Sequence, residues 1–320
     1  MSLSYLVITH IQSTDNKQPL TFKSKAMKTF KNIVVATDFS DASLVAYYYA
    51  HRLASHFQAD LKVVHAFQIF VNAARPELTE FAPSISELQT LNEERMANFI
   101  SETNDLPEGD TLVASKVKVT TEVRVGFAAE YLIELSEDPS VDLLVLGTAG
   151  EKNWFDRLLG SVSVEVSQGA HCPVLLVPQK ADFQGFHNIL YGASEDSAKP
   201  KTLRIAVDLA KYFKSSLHFL HVKSDANDEL IESTQYFFNH YIEEYAPLMK
   251  HSMSSLNAKS VMKGIWNYSS KNDIDLVVVV SHHRDFWAKF NHHSVSKDLS
   301  LHTRLPILYL YSDAKRYPPV

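Results

Sequence analysis

VDLLVLGTAGEKNWFDRLLGSVS, Val141 to Ser163, runs from a fully apolar stretch through a glycine-bearing loop to a serine-rich segment. The chain has only nine glycines, yet Gly147, Gly150 and Gly160 all fall in this run. A short, continuously apolar segment such as Val141–Leu146 reads as a strand buried on both faces, the kind found in parallel sheets. Gly147 marks its end, and Gly160 and Ser161 stand where the next helix should begin, with Ser161 or Ser163 able to cap it. A helix start directs unpaired N–H groups and partial positive charge outward, a ready seat for an anion. Residues without a Cβ let a phosphate chain approach the backbone closely. Lys152 and Arg157, in the intervening loop, are available to add charge.

A sister stretch lies downstream. IDLVVVVSHHRDFWAKFNHHSVS, Ile274 to Ser296, aligns with the first at a constant offset of 133 without a gap. Asp142 meets Asp275, Trp154 meets Trp287, Ser161 meets Ser294 and Pro173 meets Pro306. Upstream, the segments beginning at Phe30 and Phe186 match at an offset of 156, which pairs Asn32 with Asn188, Phe57 with Phe213 and His65 with His221. Two registers in the same order indicate a tandem duplication whose second copy has lost 23 residues from its middle. Three segments follow: an amino-terminal extension over 1–29, a first domain over 30–180 and a second over 186–320, with Pro178–Gly185 as the boundary.

Each copy alternates strand and helix patterns. In the first, Ile33–Ala36 reads as a strand, Ala42–Phe57 as a helix and Leu61–Ala66 as a strand. Ser86–Glu102 follows as a helix, Lys116–Val125 as a strand and Ala128–Leu135 as a short helix. Val141–Leu146, a helix after Gly160, and Val174–Val177 complete the unit. Apolar strands alternating with helices indicate an α/β fold, a parallel sheet covered on both faces.

Composition limits the function classes. Hydrophobic content is 45%, charged content 21% and net charge −6, the profile of a soluble globular chain without the basic face expected of a nucleic-acid or anionic-membrane binder. Cys172 is the single cysteine, so no internal disulfide forms and a reducing, cytoplasmic setting fits. No apolar run reaches the length of a membrane span, and the first twenty residues lack the basic start and cleavage site of a signal peptide.

The spacing Gly-x2-Gly-x9-Gly-Ser is neither a Walker A loop nor the GxGxxG dinucleotide fingerprint. It resembles the nucleotide-binding motif of the universal stress protein family, as do NIVVATDFSDAS (Asn32 to Ser43) and GSVSVEVSQGAHCPVLLVP (Gly160 to Pro178). The resemblance implies two open, Rossmann-like, five-stranded parallel sheets of order 3-2-1-4-5. It also implies ATP (or ADP or AMP), with or without Mg²⁺, in the first domain. Carried over by position, Ala36, Thr37 and Asp38 line the base and ribose, and Ala66 and Leu146 border the adenine. Gly147, Gly150, Gly160, Ser161, Val162 and Ser163 cradle ribose and phosphates. The residues leave a plainer reading of Asp-Phe-Ser-Asp open, as the cap of the following helix.

The second copy has Val280, His283 and His293 where the first has Gly147, Gly150 and Gly160, and Ser194 for Asp38. It reads as a degenerate copy that no longer binds nucleotide. His282, His283, His292 and His293 raise a metal site, but no cysteine accompanies them and no site is assigned. His65 and His221 at matching strand ends suggest a shared structural role. No base, metal-holding carboxylate and charge clamp stand together as phosphoryl transfer requires, so no catalytic residue is assigned, and slow ATP hydrolysis or autophosphorylation is the most the residues allow. The functional alternatives are a nucleotide-binding regulatory protein of the stress response and an interaction scaffold for a protein partner. The short apolar last strands, Val174–Val177 and Ile307–Leu310, suit mutually covered edges, hence a pseudo-dimer within one chain, with higher homo-oligomers left open.

Overall fold

The structure, a computed structural model, describes residues 30–69, 83–104, 117–148, 161–194, 197–223, 232–281 and 304–312. The amino-terminal half runs β1 (Asn32–Ala36), α1 (Asp41–Phe57), β2 (Asp60–Phe67), α2 (Ile85–Asn104), β3 (Val119–Val125), α3 (Ala128–Glu137), β4 (Leu143–Thr148), α4 (Ser161–Gly169) and β5 (Val174–Pro178). The carboxy-terminal half runs β6 (Asn188–Gly192), α5 (Pro200–Phe213), β7 (Ser216–Lys223), α6 (Glu232–Tyr245), β8 (His251–Asn257), α7 (Val261–Ser269), β9 (Leu276–Ser281) and β10 (Ile307–Tyr311). The expected elements appear with ends shifted by a few residues. The extension over 1–29 and the four paired histidines lie outside the described residues.

The strands form one sheet in the order β3-β2-β1-β4-β5-β10-β9-β6-β7-β8. Each half is parallel within itself and has the order 3-2-1-4-5. The two five-stranded units join into this one sheet where β5 meets β10 antiparallel, so that the two last strands cover each other's edges. Leu175 faces Leu308, with Leu176 opposite Ile307 and Val174 opposite Tyr309. Leu175 and Leu308 correspond at the offset of 133, so the seam has a local two-fold relation. All ten seam residues of the two strands are buried. Over the seam, Phe57 of α1 and its counterpart Phe213 of α5 meet edge to face with centroids 5.8 Å apart. Phe30 against Phe57, at 5.6 Å, is matched by Phe186 against Phe213, at 4.9 Å. Such ring pairs add about 0.5–1.5 kcal/mol each beyond the area they bury.

Several backbone devices occur in both halves. The Asp142 carboxylate accepts from the N–H groups of Lys31 and Asn32 at 2.8 and 3.0 Å, tying the start of β1 to β4. Asp275 does the same for His187 and Asn188 at 2.7 and 2.8 Å. The helices α1 and α5 both end on a left-handed residue, Gln58 (φ 51°) and Lys214 (φ 57°), which returns the chain to the next strand. His65 Nδ1 donates to the Thr37 carbonyl at 2.8 Å and His221 Nδ1 to the Ala193 carbonyl at 3.0 Å. Each imidazole, nearly buried, ties the end of its second strand to the exit of its first. The shared structural role expected of these histidines is present.

The halves differ at the start of their first helix. α1 begins at Asp41 behind the Ser40 cap, whereas α5 begins with Pro200, the counterpart of Leu44. The extra turn of α1 lies on β4. A Cβ on Gly147 would stand 2.4 Å from the Ala42 carbonyl oxygen and 2.9 Å from the Ser43 nitrogen. With that turn missing, the carboxy-terminal half accommodates Val280 at the corresponding place, where it is buried. Gly147 lies within β4, paired with Val177, not just past the strand, because β4 and β5 stay in register through Thr148 and Pro178.

Two outcomes follow from this packing. Gly147→Ala should lower unfolding stability by about 1–3 kcal/mol, since backbone must shift to admit the methyl; an unchanged denaturant midpoint would contradict the close approach. His51 of α1 is buried, its Nδ1 has no hydrogen-bond partner among the described residues, and burial holds its pKa below the ordinary 6.5. The folded chain therefore binds fewer protons here than the unfolded chain, so stability is lost as pH falls below 6.5 and through the depressed folded value. His51→Val, the residue found at the equivalent Val207, should remove part of that loss. The gap between variant and parent should widen on acidification by at most about 1.4 kcal/mol per pH unit. Parallel stability curves from neutral pH down to pH of about 5 would rule this out.

Candidate functional site

In an open parallel sheet, ligands collect beyond the carboxyl ends of the strands where the strand order reverses. Here that point lies between β1 and β4, which are neighbours in the sheet although β2 and β3 intervene in sequence. Ala36 closes β1, Thr37 and Asp38 follow it, Ala66 is next to last in β2, and Leu146 and Gly147 lie near the end of β4. Ser161, Val162 and Ser163 form the first turn of α4. The strand exits and that helix start are thus brought to one end of the sheet. Gly150 and Gly160, with Lys152 and Arg157, lie outside the described residues.

The exit of β1 is built from hydroxyl groups. The Thr37 N–H donates to the Val64 carbonyl at 2.9 Å, extending the β1–β2 pairing past Ala36. Ser43 Oγ donates to the Ser40 carbonyl at 2.8 Å, so in the 3.0 Å contact between Thr37 and Ser43 it is Thr37 Oγ1 that donates. Thr37 Oγ1 in turn accepts from the Phe39 N–H at 3.0 Å. Phe39 takes a left-handed conformation, φ 63°, and its ring rests 4.4 Å from His65, with the Arg95 guanidinium 4.8 Å over it. The cost of a positive φ on a non-glycine residue is offset by this packing on both sides.

Asp38 is exposed, and its Oδ1 accepts from the Ser40 N–H at 3.1 Å and from the Ser40 hydroxyl. Partial burial pushes its carboxyl up, but the bonds from Ser40 outweigh that, and the group sits below its ordinary value. Asp38 is therefore a carboxylate at neutral pH, able to accept but not to donate. The residue that caps α1 is Ser40, whose Oγ accepts from the Ser43 N–H at 3.3 Å; Asp38 braces that cap. Ser163 does not cap α4: it is the helix's third residue, nearly buried, and its Oγ reaches back to the Gly147 carbonyl at 3.5 Å. That contact ties the start of α4 to the end of β4.

Phe39, Ser40, Ser43 and His65 also shape the site, although the sequence reading gave none of them a part in holding a ligand. A serine directly ahead of the helical pattern was the available signal for Ser40; nothing in the sequence announced the left-handed Phe39. A cleft of about 710 Å³ lies elsewhere, at the far end of α1, lined by Arg52, His56, Phe183, Phe186, His187 and Phe213. Arg52 there is already engaged by Asp182 at 3.1 Å and the Phe183 carbonyl at 3.2 Å. Its rings pack on one another, so the cleft belongs to the seam. Among the described residues no three His, Cys, Asp or Glu side chains are placed to hold a metal, and no helix is long and apolar enough to cross a membrane.

Residues 29–178 match the universal stress protein family. A universal stress protein of Methanocaldococcus jannaschii is 35% identical over 150 residues, which span 46% of this chain and 82% of that protein. One from Mycobacterium tuberculosis is 29% identical over 206 residues, 61% of this chain and 64% of its own length. The crystal structure of a universal stress protein from Archaeoglobus fulgidus superimposes with a TM-score of 0.63 over 88% of this chain and 96% of that one, at 16% identity. That likeness extends the shared fold across both halves. By its strand order, its β1-exit and α4 sequences and its relatives, the chain belongs to the universal stress protein family.

Proposed function

We propose that this chain is a regulatory protein of the stress response that binds one adenine nucleotide, ATP foremost, in its amino-terminal half. The observation that carries the reading is the convergence, at the β1/β4 switch point, of the Thr37–Asp38 exit, the end of β4 and the first turn of α4. Ala36, Thr37, Asp38, Ala66 and Leu146 would hold the nucleoside. Gly147, Gly150, Gly160, Ser161, Val162 and Ser163 would hold ribose and phosphates, with Mg²⁺ where the triphosphate brings it. An ionised Asp38 suits ribose hydroxyls or an adenine amino group, all donors. A helix start suits phosphate. In this reading the chain is a tandem duplication, 30–180 active and 186–320 degenerate, joined as a pseudo-dimer through the seam, and it works in the cytoplasm. No residue is assigned a catalytic role.

One observation favours a second reading, a scaffold for protein partners. Gly147 is required by the packing of α1 whether or not a phosphate passes near it. The two readings separate on nucleotide content. Freshly purified protein, denatured and chromatographed, should release about one adenine nucleotide per chain, and stripped protein should give heat on titration with Mg²⁺–ATP. Gly160→His, taking the residue of the sister repeat, should abolish the heat. Ser163→Ala should weaken binding about fivefold, by releasing the start of α4 from the Gly147 carbonyl. Absence of both released nucleotide and heat, in a chain shown to be folded, would overturn the nucleotide reading and leave the scaffold.

A further inference from the structure

We infer that Tyr311, carried by the half without the glycine motif, is a positioning residue for α4, and so for the phosphate seat, a role that presupposes the nucleotide reading above. Tyr311 is the last residue of β10 and is fully buried. Its hydroxyl crosses the seam and donates to the Ser167 carbonyl at 3.0 Å, with the Val166 carbonyl at 3.4 Å. Both carbonyls belong to the last turn of α4, where the helix itself supplies no donors. Val166 already receives the Ala170 N–H at 2.9 Å. The Tyr311 hydroxyl donates to the Ser167 carbonyl and so braces the carboxyl end of α4 from the other half of the chain.

α4 has nine residues, about 13 Å of helix, too short to hold its shape or direction alone. Its orientation depends on its anchors. At the leading end Ser163 touches the Gly147 carbonyl, and at the trailing end Tyr311 holds Ser167 and Val166. The first-turn N–H groups can face a phosphate only while both ends are held. The ring of Tyr309, 5.2 Å away and also buried, supports Tyr311. The residue that corresponds to Tyr311 in the amino-terminal half is Pro178, which has no hydroxyl to offer in return. The clamp therefore acts in one direction, from the half that lacks the motif onto the helix of the half that has it. This gives the carboxy-terminal half a task that its own residues do not suggest.

Tyr311→Phe keeps the ring and removes the hydroxyl. In the full chain, amide hydrogen exchange should accelerate across α4 while α3 stays unchanged. Affinity for Mg²⁺–ATP should fall about fivefold, the equivalent of one neutral hydrogen bond. Leu308→Val serves as the comparison, since it loosens the seam but keeps the clamp; its ATP affinity and α4 exchange should stay at the parent's values even where its thermal midpoint drops as far. Unchanged α4 exchange in Tyr311→Phe, or an equal loss of affinity in both variants, would overturn the positioning role. If the parent chain itself binds no ATP, the nucleotide seat falls, and α4 exchange alone decides whether Tyr311 holds the helix.

Discussion

The antiparallel seam between β5 and β10 is the constraint from which the rest of the arrangement follows. A five-stranded parallel unit of order 3-2-1-4-5 ends in a strand whose two faces are buried but whose outer edge presents unpaired backbone groups. Both halves have such an edge, and both edge strands are apolar throughout. Pairing them covers the two edges at once. Antiparallel pairing centred on Leu175 and Leu308 also sets the helices above by the same two-fold relation, which is why Phe57 meets its own counterpart, Phe213. It places β10 beside α4 as well, bringing Tyr311 within reach of carbonyls 144 and 145 residues earlier in the chain.

Within this frame the halves keep one skeleton and differ at the start of the first helix. The aspartates that tie first strand to fourth, the left-handed ends of the first helices and the two histidines on the first-strand exits are shared. Among the described residues, the difference that reaches the fourth strand is a single turn at the start of the first helix. With it, β4 must carry glycine; without it, β9 carries valine. The loss of a glycine in the second half is thus at once a change of packing and, in the nucleotide reading, the closing of a binding path. Packing alone is enough to hold Gly147 in place, so that glycine is weaker support for a ligand than the loop glycines beyond it.

The β1 exit shows how little of a polar site is free to act. Thr37, Ser40 and Ser43 spend their hydroxyls on one another and on backbone groups, and Asp38 braces the helix cap. What remains turned outward is a carboxylate held in its ionised form and the backbone of a tight turn. In the nucleotide reading, that carboxylate is available to donors such as ribose hydroxyls.

Much of the architecture was legible in the sequence, because strand burial and helix period leave direct marks in the order of apolar residues. The continuous runs Ile33–Ala36, Val141–Leu146 and Val174–Val177 could only be strands covered on both faces, and the two offsets declared the repeat. Side-chain partners leave no such mark. That Ser40 and not Asp38 caps α1, that Ser163 reaches Gly147 instead of capping α4, and that Gly147 answers to Ala42 all depend on where separate elements come to rest. The sequence by itself determined the α/β class, the two matching registers and which half carries the glycines, since each is written in local pattern or in spacing. Only the tertiary structure decided the register of the seam and that the Tyr311 hydroxyl reaches a helix of the other half, because a hydrogen bond between distant segments depends on distance in space, which residue order does not encode.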